Sequence, residues 1–318
     1  MARLSDASHL NTVLRDKVLE RLGFSKPPTV DLDGLRALYY AWCISIPFDN
    51  VRKMIALRKT GSHFLPGGYA EDFLECWLTD GTGGTCWPSS NALFELVRSL
   101  GFEAQRIVGH MRDLGIVNHG SVRVRIDGRH WLVDSSLLYN TPLPLAQPVF
   151  IQDDPVFPVE VEPTGDENHL LWVDVPPNPG YMPCRLLANE VTHAFYLECY
   201  EASRDRSPFN QRLYARRNRP DELLVLVGNK RFSRSRLGFS SRDLSAAELR
   251  QALREDIGLS NRMIEDWVLS GSLEASFEAP CGPTPPPLTG EPPSKRGDDR
   301  VSSPRADAEP VIPPDAAR

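Results

Sequence analysis

The chain is 318 residues long with a formal charge of -6, 41% hydrophobic and 25% charged residues, so it is large enough to bury a full core and needs no disulfide or metal staple to fold. The mildly acidic balance excludes the basic signature of a nucleic-acid binder, and no window approaches the roughly 18 consecutive apolar residues of a membrane span. The start, MARLSDASHLNTVLRDK, has no apolar secretory core, so the expected location is the cytoplasm, with no membrane and no nucleic acid among the partners.

The first hundred residues follow helical periodicity. Leu10 to Leu22 stops at Gly23, a capping residue, and Asp33 to Ser45 carries Leu35, Leu38, Tyr39 and Trp42 on one face before Pro47. A third helix is expected from about Ala70 to Leu78. The next stretch, GTGGTCWPSSNALFELVRSLGF from Gly81 to Phe102, joins a glycine-rich loop to an amphipathic helix with Leu93, Phe94, Leu96, Val97 and Leu100 on its apolar stripe. Pro88 suits its first turn and Gly101 its exit. Cys86 therefore stands at a helix N-terminus, where free N–H groups and the helix dipole favour an anion, the form in which a thiol reacts.

Beyond Phe102 the period shifts toward two. Strands are expected at Ala104 to Gly109, Gly120 to Ile126, Arg129 to Ser135, Leu170 to Val175, Cys184 to Glu190 and Thr192 to Tyr200, forming an antiparallel barrel or curved sheet. From Pro208 the pattern reads as short strands around Leu213, Leu223 to Val227 and Arg231, then helices. Ser245 and Glu248 make a capping box ahead of Leu249, Leu253 and Ile257. After Phe277 the composition turns proline-rich with no aromatic residue, a tail expected to be disordered. The fold class is thus α+β in four parts: a helical bundle at 1–102, a β-barrel at 103–206, an α/β lid at 207–277 and the tail at 278–318.

Asp127-Gly128 is the dipeptide a two-residue hairpin prefers, and it fixes a register. Ile126 faces Arg129, Val124 faces Trp131, Val122 faces Val133 and Ser121 faces Asp134. Alternation then puts His119, Ser121 and Asp134 on one face, with His119 a diagonal neighbour of Asp134 roughly 7 to 8 Å away. His130 lies four residues from Asp134, about 13 Å along the strand, and His110 has no carboxylate matched to it by register. Cys86, His119 and Asp134 together supply a nucleophile, a general acid/base and an orienting carboxylate. The bland alternatives are a packed cysteine and a solvated His-Asp pair. The six cysteines (Cys43, Cys76, Cys86, Cys184, Cys199, Cys281) show no C-x-x-C pair and no metal-ligand spacing, so most read as small buried side chains and no metal is expected.

These residues resemble the arylamine N-acetyltransferase family. The resemblance covers roughly residues 10 to 275 and rests on Gly83, Gly84 and Cys86 followed by Leu100-Gly101-Phe102, on His119 at a strand start, on Val133-Asp134 after a hairpin, on Pro47-Phe48-Asp49-Asn50, and on SPFNQRLYARR from Ser207 to Arg217. It implies a helical bundle carrying the cysteine, a barrel carrying histidine and aspartate, and a lid. It also implies a two-step reaction in which an acyl-CoA, acetyl-CoA or another, acylates Cys86 and a small arylamine, hydrazine or similar amine then takes the acyl group, with no tightly bound cofactor. The chain departs from the family at Thr82 (for arginine), Asp49 (for glutamate), Pro88, Ser90 (for asparagine, with Asn91 displaced by one) and Ser135-Ser136-Leu137-Leu138. Other readings of the same residues are an amide synthase on this scaffold, a transglutaminase-like cysteine enzyme, or a noncatalytic relative. Backbone N–H groups near Gly83, Gly84 and Cys86 are candidates for an oxyanion hole. Arg216, Arg217, Arg219, Lys230, Arg231, Arg234 and Arg236 form a basic run, either a solvated face or a partner for CoA phosphates.

Overall fold

The structure, a computed structural model, describes residues 10–278 except 60, 62, 63, 146–148, 166 and 179; the expected tail and Cys281 lie outside the described residues. Five helices come first: α1 (Thr12–Arg21), α2 (Leu32–Ser45), α3 (Val51–Arg58), α4 (Ala70–Asp80) and α5 (Cys86–Ser99), with the two-residue strand β1 (Phe48–Asp49) ahead of α3. Asn11 and Asp31 cap α1 and α2 by accepting from the Val13 and Gly34 N–H groups at 2.8 Å each. Helix α3 carries no periodic signal, because its eight residues are too few to show one.

An eight-stranded antiparallel sheet follows in the order β5-β4-β3-β2-β9-β8-β7-β6, nearly closed into a barrel. Its members are β2 (Glu103–Met111), β3 (His119–Ile126), β4 (Arg129–Val133), β5 (Leu143–Leu145), β6 (Phe150–Gln152), β7 (Val159–Pro163), β8 (His169–Val173) and β9 (Met182–Leu186). The hairpin register is the expected one, Val122 opposite Val133, Val124 opposite Trp131 and Ile126 opposite Arg129. Asp127 and Gly128 have φ of 49° and 74°, the two positive angles of a type I′ turn.

One expected strand is overturned: Thr192 to Tyr200 is the start of α6 (His193–Arg206). Thr192 caps it by accepting from the Phe195 N–H at 3.2 Å, and the buried residues His193, Tyr196 and Tyr200 recur at helical rather than alternating spacing. A second, five-stranded sheet then runs β1-β10-β11-β12-β13, with β10 (Tyr214–Arg219), β11 (Glu222–Val227), β12 (Lys230–Ser235) and β13 (Gly238–Asp243). Phe48 pairs with Arg216 and Asp49 with Ala215, which ties the segment before α3 to this sheet. The chain then forms α7 (Ala246–Ala252), a π-helical turn (Leu253–Ile257), α8 (Asn261–Leu269) and α9 (Ser272–Phe277). Both bonds of the Ser245/Glu248 capping box are made.

The helices and the first barrel strands share one core, in which Trp42, Phe73, Phe94, Val122 and Val133 are buried. A second core lies between the five-stranded sheet and the last helices, around Leu224, Leu253 and Trp267. No described helix is long and apolar enough to cross a membrane.

Candidate active site

Cys86 is the first residue of α5, and the loop ahead of it is held against β1. The Asp49 N–H donates to the Gly84 carbonyl at 3.2 Å, the Gly83 N–H donates to Asp49 Oδ2 at 2.6 Å, and Phe48 and Gly84 form a parallel bridge. Asp49 Oδ1 accepts from the Val51 N–H at 3.0 Å. The short aspartate in the early motif therefore fastens the loop through backbone N–H groups. Thr82, at the arginine position, is buried with its hydroxyl 3.1 Å from the Cys76 sulfur.

Asp49 is 1% exposed. Desolvation pushes its carboxyl up to about 6, against the opposing pull of the Gly83 and Val51 bonds and Arg52. Its folded value thus lies above the ordinary carboxylate value of about 3.9. Between these limits the folded chain holds a proton that the unfolded chain releases, so this contribution to stability is largest at low pH and is lost as pH rises through about 6. Ionised Asp49 costs roughly 3 kcal/mol at neutral pH. The melting temperature of the wild type relative to Asp49→Asn is therefore expected to be higher at pH 5 than at pH 7. A difference that does not move with pH would contradict this reading.

His119 and Asp134 meet as the hairpin register requires. His119 Nε2 lies 2.7 Å from Asp134 Oδ2, and both residues are buried, at 2% and 0% exposure. Ser121 donates to the same oxygen at 2.7 Å, while Oδ1 accepts from the Ser136 N–H, the Ser136 hydroxyl and the Leu137 N–H. Burial alone would discharge His119, but the Asp134 carboxylate and the nearby Cys184 and Cys86 together outweigh it and hold the imidazole protonated well above its ordinary range. Asp134 is likewise desolvated, yet His119, Ser121 and the Leu137 N–H bring it down to about 2. Cys86 also helps to hold the imidazole protonated. With Nε2 engaged by the carboxylate, Nδ1 is the ring nitrogen left for the thiol. The Cys86 sulfur lies 3.9 Å from the Asn118 carbonyl oxygen. His130 instead sits opposite Arg125 and Leu145, and His110 opposite Arg185.

Several supporting residues escaped the sequence reading. Tyr39 of α2 donates to the Asp134 carbonyl at 2.8 Å and accepts from the N–H groups of Asp134 and Tyr139. It had counted only as part of an apolar face, although a buried tyrosine hydroxyl needs partners. The Ser135 hydroxyl lies 2.8 Å from that of Ser89 and 2.9 Å from that of Ser90, and Ser90 donates to the Gly120 carbonyl at 2.7 Å. Two departures from the family pattern, Ser90 and Ser135, thus meet each other and lock the helix of Cys86 to the strands of His119 and Asp134. Asn91 links α5 to its surroundings, accepting from Arg106 Nε at 2.8 Å and donating to the Gly68 carbonyl at 3.1 Å.

Two groups of candidates change status. Gly83 donates its N–H to Asp49, so it is committed, whereas the N–H groups at the start of α5 receive no cap bond from the Thr85 side chain. The basic run is largely occupied. Arg216 and Arg217 donate to the Leu138 and Ile257 carbonyls, Arg219 and Arg231 pair with Asp256, Lys230 pairs with Asp243, Arg234 with Asp174, and Arg236 with Asp154 and Asp221. Among the described residues, no group of three or more His, Cys, Asp or Glu is placed to hold a metal ion.

The class of protein defined here is a three-part α+β fold around a buried cysteine, histidine and aspartate. Residues 31–162 match the family model described as N-acetyltransferase, and the resemblance to the arylamine N-acetyltransferase family is borne out, since the fold is that of these enzymes. The chain is similar to the arylamine N-acetyltransferase of Mycobacterium abscessus (20% identity, TM-score 0.66, covering 83% of this chain and 95% of that one). It is similar also to that of Mycobacterium marinum in complex with CoA (20%, 0.69, 82% and 97%) and to that of Salmonella typhimurium (17%, 0.67, 82% and 98%). No curated protein matches the sequence.

Proposed function

We propose that the chain is a cysteine-dependent acyltransferase that moves an acetyl or other acyl group from acyl-CoA through a Cys86 thioester to an arylamine, hydrazine or similar amine. The observation that carries this reading is the buried His119–Asp134 pair together with Cys86, buried at the start of α5. The fold shared with a CoA-bound neighbour supports acyl-CoA as the co-substrate. The division into bundle, barrel and lid at 1–102, 103–206 and 207–277, and a cytoplasmic site of action, belong to the same proposal.

With the proton on His119, the Cys86 sulfur attacks the thioester carbonyl. The Cys86 N–H at the start of α5 is the donor best placed for the oxyanion. Collapse breaks the bond to CoA, whose departing thiolate takes the proton from His119. An amine then attacks the Cys86 thioester, giving its proton to His119, and the cysteine leaves as thiolate to be reprotonated. Asp134 keeps Nε2 protonated throughout, so Nδ1 is free to accept and return the proton.

Intact-protein mass spectrometry after exposure to acetyl-CoA tests this. One acyl group is expected on the wild type, discharged by an added arylamine, with none on Cys86→Ala. An adduct of equal yield on Cys86→Ala would remove the nucleophile assignment.

A further inference from the structure

Thr85, the residue before the nucleophile, is a helix cap whose hydroxyl has nothing to cap. Its place is set by the backbone: φ and ψ are -78° and -178°, and its carbonyl accepts from the Ser89 N–H at 3.2 Å, the first backbone hydrogen bond of α5. A threonine there ordinarily accepts through its side-chain oxygen from the N–H of the second or third helical residue. Here the third is Pro88, which has no N–H, and no bond from the Thr85 side chain to the first turn is made. Ser89 reaches back to the Thr85 carbonyl, at 2.9 Å, and not to its hydroxyl. The residue is 3% exposed, and its hydroxyl is buried with no hydrogen-bond partner among the described residues.

Buried polar groups in folded proteins are nearly always paired, and leaving one unpaired is unfavourable. An unpaired hydroxyl beside a nucleophile therefore points to a partner that arrives with the substrate. A few covalent bonds separate Thr85 Oγ1 from the Cys86 nitrogen, which keeps the two within about 5 Å in every rotamer. That nitrogen carries the N–H that faces the oxyanion, and an oxygen gaining negative charge is held best by more than one donor. We propose that Thr85 is a catalytic residue whose hydroxyl donates to the thioester carbonyl oxygen as it becomes an oxyanion, beside the Cys86 N–H. This rests on Cys86 being the acylated nucleophile. As the sulfur bonds to the carbonyl carbon, the C=O pair moves onto the oxygen. Collapse restores the C=O and breaks the bond to CoA, whose thiolate takes the proton from His119. Thr85 lends a hydrogen bond and no proton, and serves again when the amine attacks the Cys86 thioester.

Quenched single-turnover mass spectrometry with acetyl-CoA, run beside alkylation of Cys86 by iodoacetamide, tests this on the wild type, Thr85→Val and Thr85→Ser. Valine has the shape of threonine without the hydroxyl, and iodoacetamide reacts by displacement at a saturated carbon, which forms no oxyanion. Thr85→Val is expected to slow acylation about 100-fold, the loss of one oxyanion donor, with alkylation unchanged. Thr85→Ser is expected to stay within about tenfold of the wild type. Thr85→Val is also expected to melt no lower than the wild type, because an apolar group of the same shape relieves an unpaired buried hydroxyl. Equal slowing of acylation and alkylation in Thr85→Val overturns the proposal, since Thr85 would then only position the thiol. Unchanged acylation in Thr85→Val overturns it as well, with the acyltransferase reading intact. A wild type whose Cys86 is alkylated but accepts no acyl group overturns both.

Discussion

Asp134→Asn is expected to slow acylation of Cys86 about 10⁴-fold, the loss that a wrong imidazole tautomer causes in a triad of this kind, while the protein stays folded. Asparagine is isosteric, and its carbonyl oxygen can take the place of Oδ1, which accepts from the Ser136 N–H, the Ser136 hydroxyl and the Leu137 N–H. The amide nitrogen then replaces Oδ2, the oxygen that faces His119 Nε2 and the Ser121 hydroxyl. A donor now points at Nε2, so the neutral imidazole must carry its proton on Nδ1, the nitrogen that serves Cys86. That nitrogen can no longer accept the thiol's proton. The buried imidazole also loses the carboxylate that holds it protonated. Quenched single-turnover mass spectrometry measures the rate, and thermal unfolding confirms the fold. A rate within tenfold of wild type would mean that Asp134 does not orient His119.

The chemistry of this site was legible where local rules dominate. A two-residue Asp-Gly turn leaves a single register, and that register alone brought His119 to Asp134. The helix start at Cys86 was equally local, marked by the glycines before it and Pro88 within its first turn. What could not be read are contacts between segments far apart in the chain that carry no periodic signature. Ser89 and Ser90 meet Ser135 across 46 and 45 residues, and the ammonium of Lys53 reaches Ser203 across 150. Nothing in a lone hydroxyl or lysine announces such a partner. At α6 the failure was different. Its aromatic residues favour a strand by propensity, while the spacing of His193, Tyr196 and Tyr200 is helical, and the burial of that face decided the outcome. The departures from the family pattern were visible as substitutions, but their compensation was not, because Asp49 takes backbone N–H groups as partners and the serines take one another.

The loop before Cys86 has the narrowest tolerance in the site, and Gly83→Ala is expected to lower acyl transfer about 100-fold with every proposed catalytic side chain still present. A Cβ on Gly83 would lie 1.7 Å from the Pro47 carbonyl oxygen and 2.8 Å from its carbon. Both are backbone atoms, so no side-chain rotation can relieve the overlap. The loop must instead back away from β1 by more than an ångström before ordinary contact is restored. Three interactions resist that movement: the Gly83 N–H to Asp49 at 2.6 Å, the Asp49 N–H to the Gly84 carbonyl at 3.2 Å, and the Phe48–Gly84 bridge. Cys86 follows within three residues, whereas His119 and Asp134 are held independently by the hairpin and by Tyr39. The thiol therefore shifts while its partners stay, and a misplacement of about 1 Å is enough for a loss of this size. Thermal unfolding is expected to fall by about 1 to 3 kcal/mol, the usual cost of overpacking. Gly165→Ala is the matched control, because a Cβ there meets nothing within 4 Å. If Gly83→Ala kept both the rate and the melting temperature of the Gly165→Ala control, β1 could not be what positions the nucleophile.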